Sequence, residues 1–163
     1  CLIQDAAARG IPILGICFGS QILASALCGR DQVFRRDDCE IGYKDLLVTD
    51  AARDDAIAGG LAEHVHMFVW HNDEVRGDHP DMTILAYSDI CPNHVWRYRD
   101  TPAWGIQGHP EITAAQAPVW FNQNRERMQK DGADVDVLIA STDEAAEAKT
   151  MLTRFADVVK AWA

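Results

Sequence analysis

An α/β fold is predicted for this chain: three layers, with a largely parallel central sheet, flanking helices and an antiparallel extension of the sheet. Three observations predict it. The apolar run at residues 11–16 passes directly into a helical stretch, the strand-to-helix step of a parallel sheet buried on both faces. Strand-like and helix-like segments alternate along the chain without repeats or low-complexity sequence. Between Trp70 and Gln107, β-rich runs crowd together with only polar turns between them, the pattern of antiparallel neighbours.

The elements follow in order. Leu2–Ala8 reads as the tail of a helix feeding the first strand at residues 11–16. Gly15-Ile16-Cys17-Phe18-Gly19 has the form of a nucleophile elbow, a sharp strand-to-helix turn with the nucleophile at its apex. Both glycines are expected to serve close backbone approach in that turn. Residues 21–27 read as the following helix, stopped by Gly29. Arg35-Arg36-Asp37-Asp38 reads as a solvated loop. Strands are predicted at 46–49, 67–70, 83–87, 95–98 and 103–107, and a helix over 114–130 ending at Gly132. Ser141-Thr142-Asp143-Glu144 has the capping-box form. After it, Met151, Leu152, Phe155, Val158, Val159 and Trp162 recur at helical spacing, the mark of a helix packed on the sheet.

Two distant segments carry the chemistry. Cys17 falls at the start of a helix, where unpaired amides and the helix dipole favour the thiolate form of a cysteine. The amide of Phe18 points toward an oxyanion on an attacked carbonyl. In Gly105-Ile106-Gln107-Gly108-His109-Pro110-Glu111, His109 projects from a strand end and Pro110 stops further pairing. Glu111 can accept a proton from the imidazole and fix its tautomer. A thiol, a base and a carboxylate that orients the base are the minimum set for acyl transfer through sulfur.

These two motifs resemble those of the class I, or triad, glutamine amidotransferases. Between them, Glu40-Ile-Gly-Tyr43, Trp70-His71-Asn-Asp73 and residues 86–92 are also similar to the family, nearest to stand-alone members that resemble the glutaminase part of guanylate (GMP) synthetase. The resemblance implies a flavodoxin-like sheet and a catalytic triad of Cys17, His109 and Glu111. Glutamine would be hydrolysed through a γ-glutamyl thioester, and ammonia passed to an acceptor. It further implies that Phe18, Gln21 and His71 bind substrate, with His71 lining the cleft. No cofactor is implied. A synthetase partner or a homo-oligomer is expected. In the family several strands precede the elbow, one bearing a second oxyanion donor; residues 1–163 are therefore read as one domain whose N-terminal strands are missing, and as not competent alone. Gly108 stands where most members carry a larger residue, which predicts looser packing beside His109.

Bulk properties exclude several classes. The chain has 163 residues, a net charge of −10, 48% hydrophobic and 25% charged residues, values of a globular domain. The acidic balance argues against nucleic acid as partner, and no apolar run of bilayer-spanning length argues for a membrane. Five cysteines without a Cys-x-x-Cys pair suit a reducing compartment, the cytoplasm. His64, His66 and His71 are close in sequence, but no cysteine or carboxylate completes a recognisable metal set among them. Phosphate-binding motifs are absent. Two alternatives to the amidotransferase reading remain at this level: a γ-glutamyl hydrolase or peptidase with the same triad, and a non-catalytic binding member.

Overall fold

The computed structural model describes residues 1–163. Six strands form one sheet: β1 (Ile13–Ile16), β2 (Val33–Val48), β3 (His64–Val75), β4 (Met82–Tyr87), β5 (Val95–Tyr98) and β6 (Ala103–Ile106). Their spatial order is β1-β6-β5-β4-β2-β3. Only β1 and β6 pair in parallel, with Ile16 opposite Ile106. The other pairings are antiparallel. The α/β class stands, with a larger antiparallel share than the sequence suggests. The cause lies in the connections: β4, β5 and β6 follow one another through short turns, and parallel neighbours need a long crossover.

Strand alternation gives the sheet two apolar faces. Trp104 and Ile106 of β6 enter one core cluster with Leu46, Val65 and Met67, covered by Ala148 and Met151 of α6 (Ala146–Trp162). Ala103 of β6 and Trp96 and Tyr98 of β5 face the other way, against Leu23 and Ala24 of α2 (Phe18–Leu27). The three-layer order follows from that alternation. A third cluster joins Phe68 of β3 to three short helices, α3 (Ala117–Gln123), α4 (Arg125–Lys130) and α5 (Val135–Ala140). The chain opens with α1 (Leu2–Ala8), as predicted. No helix is long and apolar enough to cross a membrane.

Three local expectations are corrected. The helix predicted over 114–130 is two helices, because Asn124 leaves helical geometry (φ −107°, ψ 10°) and its Nδ2 donates to the Trp120 carbonyl at 2.9 Å; such a side chain competes with the helix ladder. The capping box at 141–144 does not cap α6. Ser141 instead ends α5, which Asp134 caps by accepting from the amides of Asp136 and Val137. Helix α6 begins after Ala145, in the left-handed conformation, whose amide donates to Asp143 Oδ1 at 2.7 Å. Arg35–Asp38 is not a loop but an irregular stretch of β2, where the register against β3 shifts between Arg35 and Glu40. Arg36 turns inward there and pairs at 2.9 Å with the buried Glu74. On α6, Met151 is buried and Phe155 and Val158 pack on the core, while Trp162 is 53% exposed.

Candidate active site

The turn between β1 and α2 has a geometry that only particular residues allow. Cys17 is the N-cap of α2 and holds φ 50° and ψ −108°, a strained conformation for a residue with a Cβ. The strain is held by a bond from the Cys17 amide to the Ile106 carbonyl (2.7 Å) and one from the Ser20 amide to the Cys17 carbonyl (3.0 Å). A Cβ on Gly15 would sit 2.5 Å from the Gly19 carbonyl oxygen and 2.8 Å from the Ser20 nitrogen. Glycine at 15 is thus a condition for closing the turn. Gly19 is different: a Cβ there meets nothing within 4 Å, so the expectation that both glycines are sterically required holds for Gly15 alone. A Cβ at Gly105 would collide with Trp96 Nε1 and Ser20 Oγ, whose 2.9 Å hydrogen bond ties α2 to β5.

His109 leaves the end of β6 and is anchored by its own amide, which donates to the Phe68 carbonyl at 2.8 Å. Gly108 makes that approach possible. A Cβ at 108 would lie 2.6 Å from Met67 Sδ and 3.0 Å from the Phe68 oxygen, so packing beside His109 is tight, contrary to the looseness expected. The imidazole sits among Phe68 and Trp120, with ring centroids at 6.2 and 6.0 Å. Its Nδ1 lies 2.7 Å from Glu111 Oε1. Burial alone would lower the pKa of His109, but the neighbouring Cys17 sulfur and the hydrogen-bonded Glu111 outweigh it and push it up to about 9. The structure therefore brings Cys17 close to His109 and Glu111 from a distant part of the sequence. A cleft of about 500 Å³ opens beside His109 and Glu111, lined also by Ile112, Gln116 and Trp120.

A stability prediction follows from that imidazole. Its proton is held more tightly in the folded protein than at the ordinary value of 6.5. The resulting stabilisation is complete below about pH 6.5 and is lost as pH rises through about 9. Thermal midpoints measured across this window should fall more steeply for the wild type than for His109→Gln. Equal slopes would remove the His109 interaction from the pH dependence.

Of the expected substrate contacts, Phe18 presents a 69% exposed ring, and its amide, at the first position of α2, has no intrahelical partner. Gln21 is buried, with Nε2 donating to the Asp73 carbonyl at 2.7 Å. His71 is not in the cleft. Its side chain is only 1% exposed and its Nε2 lies 2.9 Å from Glu40 Oε2. The reason is strand parity: His71 faces with Val69 and Met67, whereas the intervening Phe68 and Trp70 face the aromatic cluster near His109. His64 and His66 do not join His71 either; His64 is exposed, and His66 stacks on Tyr43 and contacts Asp45 at 2.7 Å.

Sequence reasoning missed Gln107 as a site residue. It is fully buried; its Nε2 lies 3.8 Å from Cys17 Sγ and its Oε1 3.5 Å from Gln21 Nε2. The signal was its place in the strand end that delivers His109. Also missed was a polar cluster of Glu40, His71, Cys91 and His94, all buried. Burial would raise the Glu40 carboxyl, but hydrogen bonds with the two imidazoles hold it well below the usual carboxylate range.

The family profile "Glutamine amidotransferase class-I" matches residues 1–125. This chain belongs to the class I glutamine amidotransferases. One subunit of the glutamine-hydrolysing GMP synthase of Halobacterium salinarum is 36% identical to this amidotransferase chain over 102 residues, covering 63% of it and 54% of the relative. The corresponding subunit of Pyrococcus furiosus is 34% identical over 102 residues, 63% of this chain and 52% of the relative. The chain thus spans about half the length of these curated relatives. A crystal structure of a glutamine amidotransferase from Thermotoga maritima superposes with a TM-score of 0.81 at 25% identity, over 97% of this amidotransferase chain and 66% of that one. The expected family and fold class both stand.

Proposed function

We propose that this chain carries the glutaminase centre of a class I amidotransferase, with Cys17 as nucleophile, His109 as general acid and base, and Glu111 orienting the imidazole. The carrying observation is the Glu111–His109 bond at 2.7 Å beside Cys17, itself held at a strained elbow. The Cys17 thiolate attacks the side-chain amide carbon of glutamine, and the carbonyl oxygen becomes an oxyanion facing the free Phe18 amide. His109 gives its proton to the departing nitrogen, releasing ammonia and leaving a γ-glutamyl thioester. The neutral imidazole then takes a proton from water, hydroxide adds to the thioester, and glutamate leaves as Cys17 is restored. Gln21 and Gln107 hold the floor of the site by their shared amide contact.

The ammonia passes to an acceptor held by a synthetase partner, a reading supported by the GMP synthase subunits among the relatives. A reducing, cytoplasmic setting suits five cysteines that are all free. Treating the whole protein with a glutamine-like chloroketone tests the site. Burial, ahead of nearby charges, pushes the Cys28 and Cys39 thiols up to about 11, so neither supplies much thiolate at neutral pH. Peptide mapping should find the adduct on Cys17 first, with protection by glutamine. An adduct chiefly on Cys28, Cys39 or Cys91 would remove Cys17 as nucleophile. Amine release from γ-glutamyl peptides, exceeding ammonia release from glutamine, would instead favour a γ-glutamyl hydrolase.

A further inference from the structure

The Glu40–His71–Cys91–His94 cluster lies outside the catalytic constellation, and the proposed reaction makes no use of it. Each residue offers one ligand atom, and those atoms lie within 4.8 Å of one another. Glu40 Oε2 is already 2.9 Å from His71 Nε2 and 3.4 Å from His94 Nε2. The three side chains are at most 1% exposed, and Cys91 is fully buried.

Charge makes this arrangement unusual. A buried carboxylate is costly unless it is paired. The Arg36 guanidinium is engaged with Glu74 and the Ile90 carbonyl. The protein itself leaves the cluster incompletely satisfied, since Nδ1 of both His71 and His94 is buried without a partner.

We propose that these four residues form a binding site for a divalent, borderline-soft metal ion such as zinc. The donor set is two imidazoles, one thiolate and one carboxylate, a tetrahedral combination of ligand types that zinc accepts. On coordination the Cys91 thiol gives its proton to water and the two imidazoles bind as neutral ligands. Carboxylate and thiolate then balance the two positive charges, leaving a neutral buried centre. Contraction from the present spacing is small, because zinc ligands at about 2.0–2.3 Å from the ion lie roughly 3–4 Å from one another. One bond already orders the turn that carries Cys91 and His94: Ser88 Oγ accepts from the Cys91 amide at 3.1 Å. A cleft of about 420 Å³ lined by Glu40, Ser88 and Ile90 opens on the surface beside the cluster. The ion is structural: it clamps β2, β3 and the β4–β5 turn, three segments that the four ligands bring together.

Cobalt(II) is the probe, since a thiolate ligand gives it a near-ultraviolet charge-transfer band. Dialysis of the whole protein against cobalt should give that band, with a single tightly held ion per chain. The band should survive Cys17→Ala and be lost in both Cys91→Ser and His94→Asn, with circular dichroism verifying their folds. A band lost in Cys17→Ala and kept in Cys91→Ser would place the ion at the catalytic thiol and overturn the proposal. Failure of the wild type to hold an ion would also overturn it, leaving only a hydrogen-bonded network. X-ray absorption on the zinc-dialysed wild type gives a test that needs no variant: one sulfur and otherwise nitrogen or oxygen neighbours are expected, and a shell without sulfur contradicts the site.

Discussion

Cys17→Ala is expected to abolish turnover, a loss on the order of a millionfold by comparison with removal of a triad nucleophile elsewhere. No other group near His109 can form the thioester, because Gln107 and the Trp70 carbonyl are the remaining polar contacts of the thiol. His109→Asn should be nearly as severe, since activation of the thiol and protonation of the leaving nitrogen fail together. Glu111→Gln should be milder, about ten-thousandfold at most, because the imidazole keeps its amide anchor at Phe68 and its aromatic surroundings. Steady-state ammonia release from glutamine by the whole protein reads this ranking. A Glu111→Gln variant as inactive as Cys17→Ala, with its fold intact, would give Glu111 a more direct part in proton transfer.

The second large effect is on stability. Gly15→Ala places a methyl group against the backbone of Gly19 and Ser20, atoms that cannot swing aside as a side chain can. The elbow must open, at a cost of about 3 kcal/mol, and activity should fall with it because Cys17 loses its strained setting. Gly19→Ala should do the reverse. It adds a methyl group to open space within α2 and should stabilise by about 0.5–1 kcal/mol through helix propensity. Urea denaturation of both variants checks the pair. A Gly15→Ala protein as stable and active as the wild type would mean that the elbow is looser than its contacts indicate.

The residues proposed to react were visible in the sequence because the signals that single them out are local. An elbow needs glycine, a nucleophile and a helix start within a few positions, and the base with its carboxylate sits two residues apart at a strand end. Strand β5 was legible to its end residues for a similar reason, being a short run rich in β-branched and aromatic residues between polar turns. Other features depend on residues far apart. β2 runs through Arg35–Asp38 because β3 supplies its partners and Glu74 receives Arg36, none of which the polar run itself reveals. The capping box at 141–144 was a local signal overridden by α5, a helix of six residues whose start is fixed by Asp134. The side-chain direction of His71 turned on strand parity, and motif resemblance is silent about that. Gly108 was misread because its neighbours, Met67 and the Phe68 carbonyl, lie on a distant strand. The Glu40–His71–Cys91–His94 cluster was hidden for the same reason: only the pairing of β2 with β3 and the turn after β4 bring its members together.

In the proposed reaction glutamine is opened by the sulfur of Cys17. Acid-quenching the whole protein during turnover of isotopically labelled glutamine, followed by digestion and mass spectrometry, tests it most directly. A γ-glutamyl adduct is expected on the peptide that carries Cys17 and not in Cys17→Ala. Ammonia release that continues with no adduct on Cys17, or an adduct on another residue, would contradict it.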